Sequence, residues 1–577
     1  MAKTDNIRNG CNEISPTKAP VPLNDSLKED QDNSAEIGSS SQNNSKVEVL
    51  DTQQTKTYGD LTERQKLVKD AGKGDFKDIV PIVAIPYSTP VHSIALSKGP
   101  KWLFTGGEDG LIRKFDFFGS VEGKSPLTVA QRHQLVDSIS FGGMNESYWE
   151  NEQPYYKEAL LTEIMEEPVK GKGRNKKIDV STITAYEPRL SPVYSMAVQS
   201  DAFWLLSGLK SGGITLQTTR SNEGCIQYYF KDGKDKFQHS TAVSCLKLNN
   251  DETKFLSGSW DKKILRWDLN MGVATEIFDK STGQVSSLDC RPVGGINLQL
   301  ANSSEKNNDD NNNDSNDEDE DVDALFDESQ GIEKNGRDSD NESEKRESAE
   351  SVGNKQDDTN DQIKKDFSTQ SKNTLHSGLY ESIVRSDDVF ITSSINGIVD
   401  VWDSRVSNGS NNVARIGLQK ETTPWCMSAI WSSDGNSIYI GRRNSTVEEF
   451  DIRNLNSYKN ILRFPLASGP VSCVRAFPNR NYLLCGCQDN IRLYDLRLSD
   501  YNTDDDNRIH LHGTEHHHHH KRRRKRVPFM IVPGHNGGVL SDMYVDPTSR
   551  FIVSASGNRG WQGKAADYVF IYEIQKA

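Results

Sequence analysis

The stretch Ala242–Leu269, AVSCLKLNNDETKFLSGSWDKKILRWDL, decides the fold. It reads as short strands of alternating apolar and polar residues, broken by Asn, Asp and Gly. Variants of it recur along the chain: PVHSIALSKGPKWLFTGGEDGLIRKFDF from Pro90, PVYSMAVQSDAFWLLSGLKSGGITLQT from Pro192, and QVSSLDCRP from Gln284, whose continuation DVFITSSINGIVDVWDSR resumes at Asp388. Three more follow: PWCMSAIWSSDGNSIYIGRRNSTVEEFDI from Pro424, PVSCVRAFPNRNYLLCGCQDNIRLYDL from Pro470, and GVLSDMYVDPTSRFIVSASGNRGWQGKAADYVFIYEI from Gly538. With insertions removed, the period is roughly 40–45 residues, which signals stacked modules rather than separate domains. A single module of short strands leaves apolar faces that only neighbouring modules can cover, so one module cannot stand alone.

This pattern resembles the WD40 repeat, and the fold class it implies is all-β, a single seven-bladed WD40 propeller. In the third unit, His239, Ser257, Asp261 and Trp267 occupy the positions of the WD40 hydrogen-bonded tetrad. A buried His–Asp pair could suggest catalysis, but no nucleophile stands beside it, and the tetrad is read as structural. Gln217 holds the Trp position of the second unit, and Asn444 with Phe450 replaces Asp and Trp in the fifth. Ring closure removes free sheet edges. The apolar run DIVPIVAIP, Asp78 to Pro86, is expected to supply the outer strand of the last blade beside Tyr568 to Ile574. Cys245, Cys426 and Cys473 recur at one repeat position and read as small buried hydrophobes in a reducing compartment.

Much of the chain stays outside this pattern. Of 577 residues only 34% are hydrophobic, 26% are charged, and the formal net charge is −14. Residues 1–76 are polar with few aromatics and read as a disordered arm before a propeller over 77–577. Insertions are expected at about 134–190, at the acidic tract 302–374 and at the His/Lys/Arg-rich loop 499–526. No apolar run is long enough to span a bilayer and no secretory signal opens the chain, so a soluble intracellular protein is expected. No P-loop, HExxH or GxSxG occurs, so neither enzyme activity nor a cofactor nor a metal is expected.

Long loops on a rigid ring are the places to seek binding. The turn GNRGWQGKAAD, Gly557 to Asp567, presents Arg559, Trp561, Gln562 and Lys564. Exposed Trp and Arg are common binding anchors, although Trp561 could equally fold back over the mouth of the ring. Arg442, Arg443, Lys262, Lys263 and Arg113 are expected on the same rim, which would make it basic. In EHHHHHKRRRKRVPF, Glu515 to Phe529, the histidines lack the fixed spacing of a structural metal site. The six adjacent cations favour nuclear import over nucleic-acid contact, and direct DNA binding is not expected in so acidic a chain.

Several stretches are more specific than a generic repeat: ESYWENE, SGLKSGGIT, FLSGSWDKKILRWDL, PWCMSAIW, GRRNSTVEEFD, GPVSCVRAFPN, VPFMIVPGHNGG and DPTSRFIVSASGNRGWQG. From about Ile82 to Ile574 the chain resembles the suppressor-of-Ty family of WD40 subunits of the fungal SAGA transcriptional coactivator. The resemblance implies a non-enzymatic protein of the nucleus that binds TATA-box-binding protein, works with a histone-fold neighbour among other SAGA subunits, and regulates delivery of that factor to promoters. The histidine and basic loop and the N-terminal arm fall outside the family pattern. Within the acidic tract, Leu325 and Phe326 sit among carboxylates in DEDEDVDALFDE and could meet the basic saddle of that factor, or the tract could be a solvated linker. The alternative class is a WD40 histone-peptide reader or substrate receptor of another nuclear complex, which would need an acidic or aromatic central pocket.

Overall fold

A computed structural model describes residues 63–71 and 76–576, apart from 134, 136–138, 155–188, 232–236, 297–383, 407–410, 420–421, 501–527, 536–537 and 558–567. The strands form seven four-stranded antiparallel sheets, and six of them are consecutive in the chain. The seventh takes its outer strand, Phe76–Pro86, from the opposite end of the chain. Each inner strand touches the next, from Val91–Leu96 through Val243–Leu248 and Val471–Ala476 to Leu540–Val545, which returns to the first. The result is the seven-bladed β-propeller that the repeat predicts.

Closure occurs through the predicted strand, beside the predicted partner. Ile79 faces Ile574, Ile85 faces Val569 and Pro86 faces Tyr568. Ile79, Val83, Ala84 and Ile85 are buried in the seams on either side of the last blade.

Between blades the core repeats one packing device. Phe230, just past the outer strand of blade two, meets Phe255 and Trp267 of blade three edge-on at 5.2 and 5.7 Å. Those two rings stack at 5.9 Å with 8° between planes. Phe278, ending the outer strand of blade three, meets Phe390 and Trp402 of blade four in the same way at 5.1 and 5.7 Å. Edge-to-face contacts of this kind add about 0.5–1.5 kcal/mol each beyond the area they bury. At these two boundaries the end of one blade's outer strand delivers an aromatic ring to the next blade.

The tetrad positions form hydrogen-bonded nodes whose chemistry varies from blade to blade. In blade three, His239 Nε2 lies 2.7 Å from Ser257 Oγ, Trp267 Nε1 donates to the same hydroxyl at 2.8 Å, and Asp261 holds His239 Nδ1 at 3.1 Å. Burial would raise the Asp261 carboxyl, but the His239 contact and the backbone N–H groups of Ser240 and Lys263 hold it below its usual value. Gly212, at φ +89°, lets the turn of blade two pass this node, since a Cβ there would sit 2.3 Å from the His239 carbonyl oxygen. In blade four Trp402 Nε1 donates to Thr392 Oγ1 at 2.8 Å. In blade two Gln217 is fully buried and accepts from Trp149 Nε1 of blade one at 2.7 Å while donating to Asn151 at 3.1 Å. The missing tryptophan of that blade is thus replaced by one from its neighbour.

Blade seven carries a node that the repeat comparison missed: His535 Nε2 lies 2.6 Å from Ser554 Oγ, which lies 3.3 Å from the Tyr572 hydroxyl. Burial pushes the imidazole down to about 3, so it stays neutral in the folded state. An unfolded chain takes the proton near pH 6.5, so this stabilisation is complete above that pH and is lost as pH falls toward 3, at up to ~1.4 kcal/mol per unit. Wild type is expected to lose about 1 kcal/mol more than His535→Gln between pH 6.5 and 5.5 in urea titrations. Parallel losses in both proteins would exclude this linkage.

Two expectations about boundaries are corrected. Residues 63–71, assigned to the disordered arm, form a helix of good helix formers, ERQKLVKDA, and Arg64 pairs with the buried Asp546 of blade seven at 3.0 Å. The stretch 134–190, assigned to an insertion, contains the outer strand of blade one, Met144–Glu150. Its partners run from Leu111 opposite Glu150 to Asp116 opposite Met144. Only Trp149 of that strand is buried, which is why alternation was too weak to reveal it. The true insertion before it, Phe117–Gly143, wraps the closing strand, with Ala84 N–H donating to the Phe141 carbonyl at 3.0 Å. In blade four the inner strand ends at Pro292 and the second begins at Arg385, so the acidic tract interrupts the turn between them as expected.

Candidate functional site

Among the described residues, the turns between second and third strands include Asp261, which holds Lys263 N–H at 3.0 Å, and Asp109, which holds Leu111 N–H at 3.1 Å. Lys262 sits at φ +69° at the tip of the turn in blade three, exposed, with Lys263 half-buried beside it. Arg443 is exposed in blade five.

Arg442, expected beside it at the surface, is instead fully buried, and this corrects the assignment of both arginines to one docking patch. Its Nε and Nη2 meet Glu448 Oε2 at 2.9 and 2.8 Å, and Nη1 donates to the Gly397 carbonyl of blade four. The physical reason is register: Gly441 and Val447 are paired across the turn, which aims Arg442 inward and Arg443 outward. Arg113 is likewise withdrawn. It pairs with Asp109 at 2.6 Å and lies over the Tyr87 ring at 5.2 Å, at a polar cleft of about 360 Å³ between the closing strand and blade one. The basic rim therefore reduces, among these expected cations, to Lys262, Lys263 and Arg443.

Arg559, Trp561, Gln562, Lys564, Leu325 and Phe326 lie outside the described residues, as does the basic run 521–526. The tetrad residues His239, Ser257, Asp261 and Trp267 come together inside blade three, with the His, Ser and Trp side chains buried.

Near the mouth of the ring, one row of side chains went unread in the sequence. His92, Tyr194 and Trp260 belong to consecutive blades, with ring centroids 5.2 and 5.0 Å apart. Glu108 Oε2 lies 2.6 Å from His92 Nε2. His92 and Tyr194 are buried, so the row is a packed seam rather than an open cage. Cys245, Cys426 and Cys473 are all buried, and burial pushes the Cys426 thiol up, away from thiolate chemistry. Among the described residues no three potential metal ligands converge, and no helix is long and apolar enough to cross a membrane.

Comparison with known proteins follows this geometry from end to end. A family model described as the SPT8 beta propeller matches residues 77–575, which spans both the closing strand and the strand it pairs with. The SAGA complex subunit SPT8 of Saccharomyces cerevisiae is 38% identical over 532 residues, covering 91% of this chain and 77% of that protein. The SAGA complex subunit Spt8 of Schizosaccharomyces pombe is 37% identical over 517 residues, covering 88% of this chain and 82% of that protein. A closed ring with this closing strand, matched along nearly its whole length by the family model and by both relatives, belongs to the SPT8 β-propeller family.

Proposed function

We propose that this chain is a non-enzymatic subunit of a SAGA-type coactivator in the nucleus, and that its rims dock neighbouring subunits and TATA-box-binding protein to regulate delivery of that factor to promoters. The observation that supports this best is the 38% identity sustained over 91% of the chain with a protein named as a SAGA subunit. The ring suits the task because its polar nodes are spent on holding blades together, leaving loops on a rigid frame for recognition. Partner binding rests mainly on the folded rims, and the acidic tract 302–374 raises association rate through long-range attraction to a basic surface.

Affinity purification from nuclear extract followed by mass spectrometry tests the assignment. Acetyltransferase-complex subunits are expected; ubiquitin-ligase components in their place would overturn it. In pull-downs with purified TATA-box-binding protein, deleting 302–374 is expected to weaken capture mainly at low salt. Complete loss at moderate salt would move the binding site into the tract.

The row of His92, Tyr194 and Trp260 beside Glu108 favours a second reading, a receptor for a lysine-bearing histone tail. It stands second because the first two rings are buried.

A further inference from the structure

The cleft between the closing strand and blade one is not used by the docking role of the rims. Its volume of about 360 Å³ falls within the roughly 300–1,000 Å³ of ordinary ligand sites. Three parts of the chain meet in it. The closing strand leads into it with Tyr87 and Ser88, the third and outer strands of blade one contribute Arg113 and Asn145, and the insertion Phe117–Gly143 contributes Ser125 and Gln131.

The polar groups of this cleft are only partly committed. Arg113 is the one charged side chain among the described residues that line it, and its Nη2 is neutralised by Asp109 at 2.6 Å. Its Nη1 is buried and finds no hydrogen-bond partner. Tyr87 offers only its ring, because its hydroxyl is held by Thr105 Oγ1 at 2.6 Å. Gln131 spends its carbonyl oxygen on the Thr128 backbone N–H and hydroxyl at 3.0 and 2.9 Å, which leaves its amide nitrogen. The side chains of Asn145, Ser88 and Ser125 make no hydrogen bond with a described residue. Two donors are thus left over from internal bonds, beside three groups that can donate or accept.

We propose that this cleft binds an uncharged, extended peptide segment of a partner protein through its backbone amides. Electrostatics selects the backbone over an acidic side chain. A carboxylate drawn to Arg113 would also face the Asp109 carboxylate, whereas a peptide carbonyl needs only the unclaimed N–H. Carbonyls and N–H groups alternate along a peptide, and the cleft presents both complements: Arg113 Nη1 and Gln131 Nε2 as donors, Asn145 Oδ1 as acceptor.

Packing favours the same occupant. Phe115 and Leu127 line the cleft as buried apolar groups, against which a small side chain of the segment can rest. Tyr148 is the register partner of Arg113, so the two side chains share one face of the blade, and the tyrosine is 66% exposed. An exposed tyrosine next to an arginine is a common anchor for a bound chain. A buried donor without a partner also costs the free ring stability, and a peptide carbonyl at Arg113 Nη1 restores it.

The test titrates the full-length protein with N-acetyl-dialanine N-methylamide, an uncharged piece of backbone, and in parallel with acetate, reading saturation transfer to the ligand methyl protons by NMR. Saturable transfer to the peptide is expected. Its dissociation constant should rise about threefold or more in Asn145→Leu and in Arg113→Lys, as for the loss of one neutral hydrogen bond, and stay unchanged in Arg443→Ala of blade five. Arg113→Lys keeps a positive charge facing Asp109 but removes the second nitrogen of the fork. Asn145 is exposed, so its replacement tests the site even where the lysine disturbs the fold. Tighter saturable binding of acetate than of the peptide would overturn the proposal in favour of a carboxylate site. Equal transfer in wild type and every variant, or none in wild type, would overturn it outright.

Discussion

Deleting Val80–Ile85 is expected to abolish the cooperative melting of the entire propeller, not only of its last blade. The segment places Val83 and Ile85 in the seam with blade one, where both are buried against Phe115, Phe551 and Ile571. Burying side chains of this size is worth about 1.5–3 kcal/mol each, and Ala84 with the half-buried Val80 and Ile82 adds to it, for a gross loss of roughly 5–8 kcal/mol. Domain stabilities are only about 5–15 kcal/mol, so the loss is comparable to the whole. Deletion would also bare the edge of Tyr568–Lys576, whose Val569, Phe570 and Ile571 are buried, and an apolar edge of this kind pairs with other chains. Calorimetry with size-exclusion chromatography reads both effects. Equal melting temperatures with and without the segment would contradict the closure argument. Val83→Asp, which leaves the backbone pairing to Ile571 possible, is expected to lower the melting temperature without eliminating the transition.

Arg442→Met is expected to cost about 3–5 kcal/mol, because it strands the Glu448 carboxylate inside the ring. Glu448 is 1% exposed and its other side-chain contact is the Thr422 hydroxyl at 3.2 Å, too little to solvate a charge. The guanidinium also fills the space beside Gly397 and satisfies its carbonyl, so its removal disturbs the boundary between blades four and five. Replacing both partners by leucine is expected to recover most of the loss, since two apolar groups need no compensation at that site. Arg443→Ala, one residue away and exposed, is expected to change stability by no more than ~0.5 kcal/mol. Urea denaturation of the three variants decides the matter: a wild-type midpoint for Arg442→Met would show that the pair carries no stability.

These two cases mark where sequence reasoning worked and where it stopped. The closing strand was legible because DIVPIVAIP is an apolar strand with no repeat unit of its own to join. The complete tetrad of blade three was legible because four polar types stand at fixed offsets. Arg442 and Arg443 were not separable, because adjacent residues on a strand or turn point to opposite sides and composition does not say which. The outer strand Met144–Glu150 was hidden for a related reason: one buried residue, Trp149, is enough to anchor it, and one residue makes no period.

The node in blade two shows the same limit from the other side. Gln217 looked like a lost tryptophan, and only the fold brings Trp149, 68 positions earlier, to bond with it. By itself the sequence determined the repeat, the seven blades, the strand that closes them and the place of the acidic insertion, because these follow from local alternation and turn chemistry. Tertiary structure alone decided which charges face water, as Arg443 does, and which are neutralised inside, as Arg442 and Glu448 are. Those outcomes depend on distances between residues far apart in the chain, and no local pattern encodes a distance of that kind.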